Sequence, residues 1–329
     1  MHERAMHEQA TQQRVGPAAE APAWRWDDTT QAEWDALLAL AAKPTLEQSW
    51  AYGAAVERIS AYRARRAVAF AGDRPVALLQ MFERAIGPLR LAKVLRGPIL
   101  LEAIGRDDLA ALLATIARAH RIRHLRPLFW LPELPAGAAS DTTMRALGKR
   151  PMVRGHATVR VDLAPDEAAL RAGLDRKWRN KLGIAERAGL RVQLAHGGRT
   201  LDMLVERHEA FRRGRRHRGP SGAEVAALVG ALARKEDVLV LTALAGNQPV
   251  AALLIVAHGR GATYHIAWTG DEGRKAHAHN LLLWRGMLAL KQRGTAFLDL
   301  GGVEAGMPGV ARFKLGLGGR LIELAGTFL

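Results

Sequence analysis

The chain alternates between runs of two-residue hydrophobic period and runs of three-to-four-residue period, and each switch marks an element. Trp24-Arg25-Trp26 reads as a short strand. The polar residues at 27–30 offer caps for a helix over 31–42, and a second helix is expected over 46–60, after the break at Pro44-Thr45. Residues 66–70 and 76–82 are β-like, divided by the turn Gly72-Asp73-Arg74-Pro75. Arg96-Gly97-Pro98 reads as a loop entering a strand at 99–101, residues 107–121 as an amphipathic helix, and residues 128–131 as a strand. Residues 132–154, with Pro, Gly, Ser and Asp-Thr-Thr, read as coil holding one short helix.

The second half repeats this order. Strands are expected over 157–163 and 191–195, with a helix over 165–188 between them that stops at Gly189. Helices over 200–213 and 222–235 precede three strands over 238–243, 250–258 and 262–268. A helix over 276–293, a strand over 296–300, a glycine-studded loop over 309–316 and a strand over 321–328 complete the set. The layout is mixed α/β, and the first half is a shorter version of the second. Two related units side by side are therefore expected: a tail over 1–22, one domain over 23–154 and another over 155–329.

Composition removes several chemistries. The 329 residues include no cysteine, which excludes disulfides, thiolate metal sites and a cysteine nucleophile. No apolar run reaches the roughly 18–20 residues of a membrane span. The first 22 residues are polar and lack an apolar signal core, so they read as a disordered tail, and a cytoplasmic location is expected. His277 and His279 are two apart and do not converge on a metal from one helix, and no metal site is expected. None of the four serines sits in a Gly-x-Ser-x-Gly elbow.

The net charge is +16, mostly arginine. Two windows concentrate it: Arg176, Lys177, Arg179 and Lys181, and Arg212, Arg213, Arg215, Arg216 and Arg218. Either window is a solvated face or a site for an anionic partner such as phosphate, RNA or the inner membrane surface. In the first, Lys177 and Lys181 share a helix face, while Trp178 and Leu182 dock the helix. Near the C-terminus, Phe313-Lys314 sets a cation beside an aromatic among glycines, which suits an anionic or carbonyl-bearing substrate. Asp299 ends a strand, where it either accepts a proton from an attacking amine or caps the turn into Gly301-Gly302. Tyr264 and Trp268 are evenly spaced on one strand, and so are expected on one face, as core or as pocket lining.

Four segments resemble the Fem-type peptidoglycan-bridge aminoacyltransferases, a branch of the acetyltransferase-like (GNAT) folds. They are Leu174-Asp175-Arg176-Lys177-Trp178-Arg179-Asn180-Lys181-Leu182 with Ala185 to Val192, the arginine window ending Arg216-His217-Arg218-Gly219, Asn280-Leu281-Leu282-Leu283-Trp284 leading to Asp299-Leu300-Gly301-Gly302, and Arg312-Phe313-Lys314-Leu315-Gly316-Leu317-Gly318-Gly319. Gln48-Ser49-Trp50 and Arg96-Gly97-Pro98 echo the family's first unit, without the lysine that often follows the Trp.

The resemblance implies two tandem GNAT-like domains, each a mixed, mostly antiparallel sheet flanked by helices. It implies transfer of an aminoacyl group from aminoacyl-tRNA to an amine, on a peptidoglycan precursor or another acceptor, with peripheral contact at the inner membrane surface. No cofactor is implied beyond the aminoacyl-tRNA co-substrate, and acyl-CoA is the alternative donor. The family's reacting centre maps onto Phe313 and Lys314, and its substrate arginine onto Arg216 or Arg218. Lys177, Arg179, Asn180, Tyr264 and Trp268 are the further substrate-binding candidates. Against CoA stands Arg274-Lys275-Ala276-His277-Ala278-His279, which has His where a pyrophosphate loop has its glycine positions. A non-catalytic RNA- or membrane-binding module is the alternative in a different class.

Overall fold

The computed structural model describes residues 21–215, 219–303 and 308–329; the expected tail lies almost wholly outside them. The first unit comprises β1 (Ala23–Trp26), α1 (Gln31–Leu40), α2 (Trp50–Ile59), β2 (Arg63–Ala71), β3 (Arg74–Ile86), β4 (Leu89–Leu95), β5 (Ile99–Leu100), α3 (Arg106–Ala119), β6 (Leu128–Leu131), α4 (Ala138–Ala146) and β7 (Pro151–Val153). The second comprises β8 (Ala157–Asp162), α5 (Glu167–Ala172), α6 (Arg176–Arg187), β9 (Arg191–Ala195), α7 (Arg199–Arg215), α8 (Gly222–Ala231), β10 (Val238–Ala245), β11 (Gln248–His258) and β12 (Gly261–Thr269). It continues through α9 (Asp271–Lys275), α10 (Ala278–Gln292), β13 (Phe297–Gly302), α11 (Pro308–Leu315) and β14 (Arg320–Glu323) to β15 (Thr327–Phe328).

The two sheets share one plan. The first runs β1-β2-β3-β4-β6-β15-β7, and the second, from its far end, β9-β10-β11-β12-β13-β8-β14. Each contains one parallel pair, β4 with β6 and β12 with β13, and the other neighbours are antiparallel. The correspondence reaches the sequence. Ala69-Phe70-Ala71-Gly72-Asp73-Arg74-Pro75-Val76-Ala77 and Ala243-Leu244-Ala245-Gly246-Asn247-Gln248-Pro249-Val250-Ala251 form the same hairpin, with a register shift after Ala69 and after Ala243. In both, glycine turns the chain at positive φ, 62° for Gly72 and 59° for Gly246. Sequence analysis finds the repeat in the architecture; the structure shows its trace in the residues.

Local signals set most elements. Thr30 and Glu33 close a capping box on α1, which buries Trp34 and Leu38. Four expectations need correction. Strand β4 was not expected, although Leu89–Leu95 continues the β3 hairpin across Gly87-Pro88. The helix expected over 165–188 divides at Gly173, because Asp175 caps a new helix through the N–H groups of Lys177 and Trp178. The loop expected over 309–316 is largely helix α11. The strand expected over 321–328 is two, β14 in the second sheet and β15 in the first.

The units meet across a shared apolar core. Leu46, Ala51 and Ala55, at and before α2, pack with Leu204 of α7, Val225 and Leu228 of α8, and Ile266 of β12. The chain also returns from the second unit to the first: Phe328 pairs with Trp130 and lies fully buried beside Leu128 and Met144. Phe328→Ala should therefore cost about 3–5 kcal/mol in denaturant-induced unfolding. A cost under about 1 kcal/mol would show that the returning strand does not close the first unit's core.

Candidate functional site

Strands β12 and β13 run parallel for only three positions, Gly261–Thr263 against Phe297–Asp299, and then part. A bulge sits where they separate. Ile255 faces Tyr264 while Leu254 faces Ile266, so His265 is an extra residue with no cross-strand partner. Beyond the split, β13 stays with β8, Gly302 opposite Thr158. A crevice thus opens between the ends of β12 and β13, at the carboxyl ends of parallel strands.

The bulge also reverses the alternation of side chains. Tyr264 packs into the core beneath α10, while Trp268 joins the core of α7 and α8 with Arg207 over its ring at 5.3 Å. The expectation that these two aromatics share a face fails because one inserted residue flips the rest of the strand. Only Tyr264 belongs to the crevice.

One wall of the crevice is aromatic. The Tyr264 hydroxyl lies 3.0 Å from His279 Nε2, and Thr269 Oγ1 lies 3.3 Å from Nδ1. The His279 ring stands 5.6 Å from Phe313, which stands 6.0 Å from Trp178. Burial depresses the His279 pKa to about 4, so the imidazole is neutral, and burial raises the Tyr264 pKa. His265 is likewise held neutral, near 4, chiefly by burial. Lys314 follows Phe313 on α11, and its ammonium donates to the Gly302 carbonyl at 2.7 Å. Gly301 makes the bend at φ 74°, and a Cβ there would lie 3.8 Å from both Lys314 Nζ and the Tyr264 carbonyl.

Asp299 does not fit the role of proton acceptor. Its Oδ1 accepts from the Thr158 hydroxyl and from the Gly301 N–H at 2.8 Å, and its Oδ2 from Arg96 Nη1 at 3.0 Å and Arg160 Nε at 3.3 Å. Burial pushes its pKa up, but the Arg96 charge, the Thr158 hydrogen bond and Arg160 outweigh it, leaving the carboxyl below its ordinary range. A carboxylate so stabilised is a poor base. It caps the turn, as the alternative reading had it, and also binds the two units. Glu133 completes the cluster, bonding Arg96 at 2.9 and 3.0 Å and Arg160 at 2.6 Å. Arg96 and Glu133 lie just past β4 and β6, at the carboxyl ends of the first unit's own parallel pair.

The basic helix α6 borders the crevice through Trp178, which is buried with Leu182, while Lys177, Arg179 and Asn180 are exposed on its outer face. Arg179 also donates to the Ala172 carbonyl at 3.3 Å. The Lys181 charge reaches His277, whose pKa is lowered by burial and then by that charge. Arg216 and Arg218 lie outside the described residues. Earlier in that window, Arg212 and Arg213 are both paired with Glu209, whose pKa falls to about 2 through those bonds and the Gly222 N–H. The turn before α10 departs from expectation in one respect. His277 occupies it at φ 51°, but His279 points inward to Tyr264 rather than over the turn. His279, the His265 bulge and the Arg96–Glu133–Arg160 cluster do not stand out in the sequence. The available signals were Arg96-Gly97-Pro98 and Arg160, which interrupts Val159 and Val161 on β8 with a charge.

His258 is a third neutral imidazole, itself buried and held near pKa 3 by that burial. With His265 and His279 near 4 and an ordinary value of 6.5, the unfolded chain takes these protons first as pH falls. The stability tied to the neutral rings is therefore full above about pH 6.5 and is lost progressively toward about pH 4. Unfolding free energy measured across that range should fall with a slope approaching three protons near about pH 5, and His279→Gln should reduce the slope by about one. A flat profile would show that these rings are not kept neutral.

Residues 168–315 match the family model for the acetyltransferase (GNAT) domain. No curated protein matches the chain. Among solved structures, FemX superposes with a TM-score of 0.78 at 14% identity, covering 92% of this chain and 96% of that one. A tandem GNAT protein from the clavulanic acid biosynthesis pathway gives 0.53 at 15% identity, covering 93% and 98%. The C-terminal domain of a proposed lysylphosphatidylglycerol synthetase from Agrobacterium fabrum gives 0.53 at 13% identity, covering 91% and 92%. With a GNAT domain match across its crevice and the FemX architecture along nine-tenths of its length, the chain has a tandem-GNAT fold of the kind seen in FemX.

Proposed function

We propose that this enzyme transfers an aminoacyl group from a charged tRNA to an amine, the acceptor being a stem-peptide amine of a peptidoglycan precursor. One observation carries the reading: Phe313 and Lys314 lie at the mouth of the split between β12 and β13, beside a helix that exposes Lys177, Arg179 and Lys181. An aminoacyl ester is already activated, so the protein has only to position it and stabilise the tetrahedral oxyanion. Phe313 offers an aromatic surface to the terminal adenine, as aromatics do for unstacked bases. Lys314 supplies positive charge to the oxyanion or to the terminal phosphate. The exposed cations of α6 follow the tRNA backbone, a contact that weakens with salt.

The neighbours support the same chemistry. One carries the name FemX, and the name of another joins a lysyl group to phosphatidylglycerol. We place the reaction in the cytoplasm, with peripheral contact at the inner membrane surface where the acceptor is lipid-linked. Among the described residues no helix is long and apolar enough to cross a membrane. Acyl-CoA is the competing donor, favoured by the GNAT domain match. Against it stands the turn before α10, where a left-handed His277 occupies the place in which a CoA-binding loop keeps glycine.

Binding of charged tRNA and of acetyl-CoA, measured side by side at two salt concentrations, separates the donors. We expect tight, salt-sensitive binding of charged tRNA that falls about tenfold or more in the Phe313→Ala/Lys314→Ala double variant. Saturable acetyl-CoA binding with tRNA ignored would transfer the enzyme to the acyl-CoA-dependent N-acyltransferases.

A further inference from the structure

The seam between the units holds a carboxylate that the crevice chemistry leaves unused. Glu47 sits on the 3-10 turn Leu46–Gln48 that precedes α2. Two buried amides bolt this turn to the first sheet. Gln48 Nε2 donates to the Gln80 and Leu95 carbonyls at 3.0 and 2.8 Å, and the Gln80 N–H donates to Gln48 Oε1 at 2.7 Å. Gln80 Nε2 returns bonds to the Glu47 and Ser49 carbonyls at 3.0 and 2.9 Å. The backbone of Glu47 is therefore fixed, whatever its side chain does.

The side chain is 27% exposed, yet its Oε2 is buried and accepts no hydrogen bond. The nearest cationic nitrogen is Arg96 Nη1 at 4.0 Å, and Arg96 is committed to Glu133 and Asp299. Five charged groups meet here from both units: Glu47, Glu133 and Asp299 against Arg96 and Arg160. One negative charge is left over, and Glu47 is the member to which neither arginine donates a hydrogen bond. Burial, with the neighbouring charges of Asp299 and Glu133 adding to it against Arg96, holds the Glu47 carboxyl above its ordinary range. A buried oxygen that lacks a donor is costly, and the group that would satisfy it is a cationic N–H.

The seam is also connected to the crevice. Arg96 bonds Asp299, Asp299 holds the Gly301 N–H, and the next carbonyl, Gly302, receives Lys314. Asp299 projects from the sheet face opposite Leu298 and Leu300, which pack under α10 with Tyr264 and Phe313. An acceptor lodged in the seam thus meets the split strands from the side opposite the aromatic wall.

We propose that Glu47 binds the acceptor's primary ammonium group and takes the proton that must leave before its nitrogen can attack. The inference rests on the amine-acceptor reading above. In the step, the ammonium gives one proton to Glu47 and its nitrogen bonds to the ester carbonyl carbon. The ester C–O bond then breaks, with its electron pair going to the ribose oxygen. The nitrogen's second proton ends on that oxygen, and Glu47 releases the first to solvent.

Glu47→Gln keeps the shape and removes the charge. Transfer from charged tRNA would be followed to two acceptors: Nα-acetyl-lysine amide, an ammonium at neutral pH, and hydroxylamine, which is already neutral there. The variant should lose about a hundredfold with the lysine derivative and stay within about threefold of wild type with hydroxylamine. Equal losses with both acceptors would make Glu47 a structural residue and overturn the proposal, as would no loss with either. A wild-type enzyme that binds charged tRNA but transfers to neither amine would overturn the amine-acceptor reading itself. A donor-free arm tests the site alone, by ligand-observed NMR. Wild type should bind Nα-acetyl-lysine amide in preference to Nα-acetyl-norleucine amide, and Glu47→Gln should abolish the preference. No preference in wild type would overturn the assignment.

Discussion

The contact between Arg96 and Asp299 ties the two units beside the candidate site. Arg96 holds a left-handed backbone at φ 52°, a conformation that costs a non-glycine residue about 1–3 kcal/mol and persists only where its surroundings fix it. Its guanidinium is fixed by Glu133 from its own unit and by Asp299 from the other. Ions buried in this way contribute little net stability, because desolvation offsets most of their attraction. Their effect is on alignment. Apolar surfaces slide with small penalties, whereas a buried guanidinium displaced from its carboxylates leaves several charges unpaired at once. Since Asp299 also holds the Gly301 N–H, the alignment reaches the bend that carries Gly302 and, through it, Lys314.

The second sheet converts this alignment into a site with two sides. Strands β12 and β13 part after three paired positions, and the extra residue at His265 turns the side chains beyond it to the other face. Tyr264, His279 and Phe313 consequently gather under α10, on the side that α6 flanks with exposed cations. Asp299 and its partners lie across the sheet, against the first unit. Acyl transfer joins two reactants at one carbon, and two separate approaches let each be held without obstructing the other. In the proposed reaction the neutral imidazoles leave the developing negative charge to Lys314.

Much of this was legible in the sequence because it is local. Capping residues such as Thr30, the turn glycines Gly72 and Gly189, and the unbroken apolar run of the strand 250–258 announce their elements directly. The Phe313-Lys314 pair stands out among the glycines around it and through the family resemblance, although its helix reads as a loop. What stayed hidden depends on pairing. A bulge is a property of two strands, so nothing in Thr263-Tyr264-His265-Ile266 reveals that Trp268 faces away from Tyr264. The ionic seam joins residues up to 203 positions apart, and Asp299 on its own reads equally well as base or cap. The last strand was misassigned for the same reason. Its pattern specifies a strand, but its sheet is chosen by the free edges of β6 and β7, which belong to the other unit.

That returning strand bears on how the enzyme works. The chain passes from the first sheet to the second and back, and Leu46, Ala51 and Ala55 bury apolar surface jointly with α7 and α8. Opening the seam would expose that core, break the Arg96–Asp299 bond and pull on β15 together, so the units do not hinge as independent domains. Substrate discrimination then does not come from closure of one unit on the other. It has to come from groups fixed in place beforehand, with the cost of ordering met during folding rather than binding. Glu47 is a case in point. Its backbone is held by amides whose other bonds are all internal, so the point from which its carboxylate extends is set before any acceptor arrives. A charge on a fixed stem distinguishes an ammonium from a neutral side chain of the same length without movement of either unit.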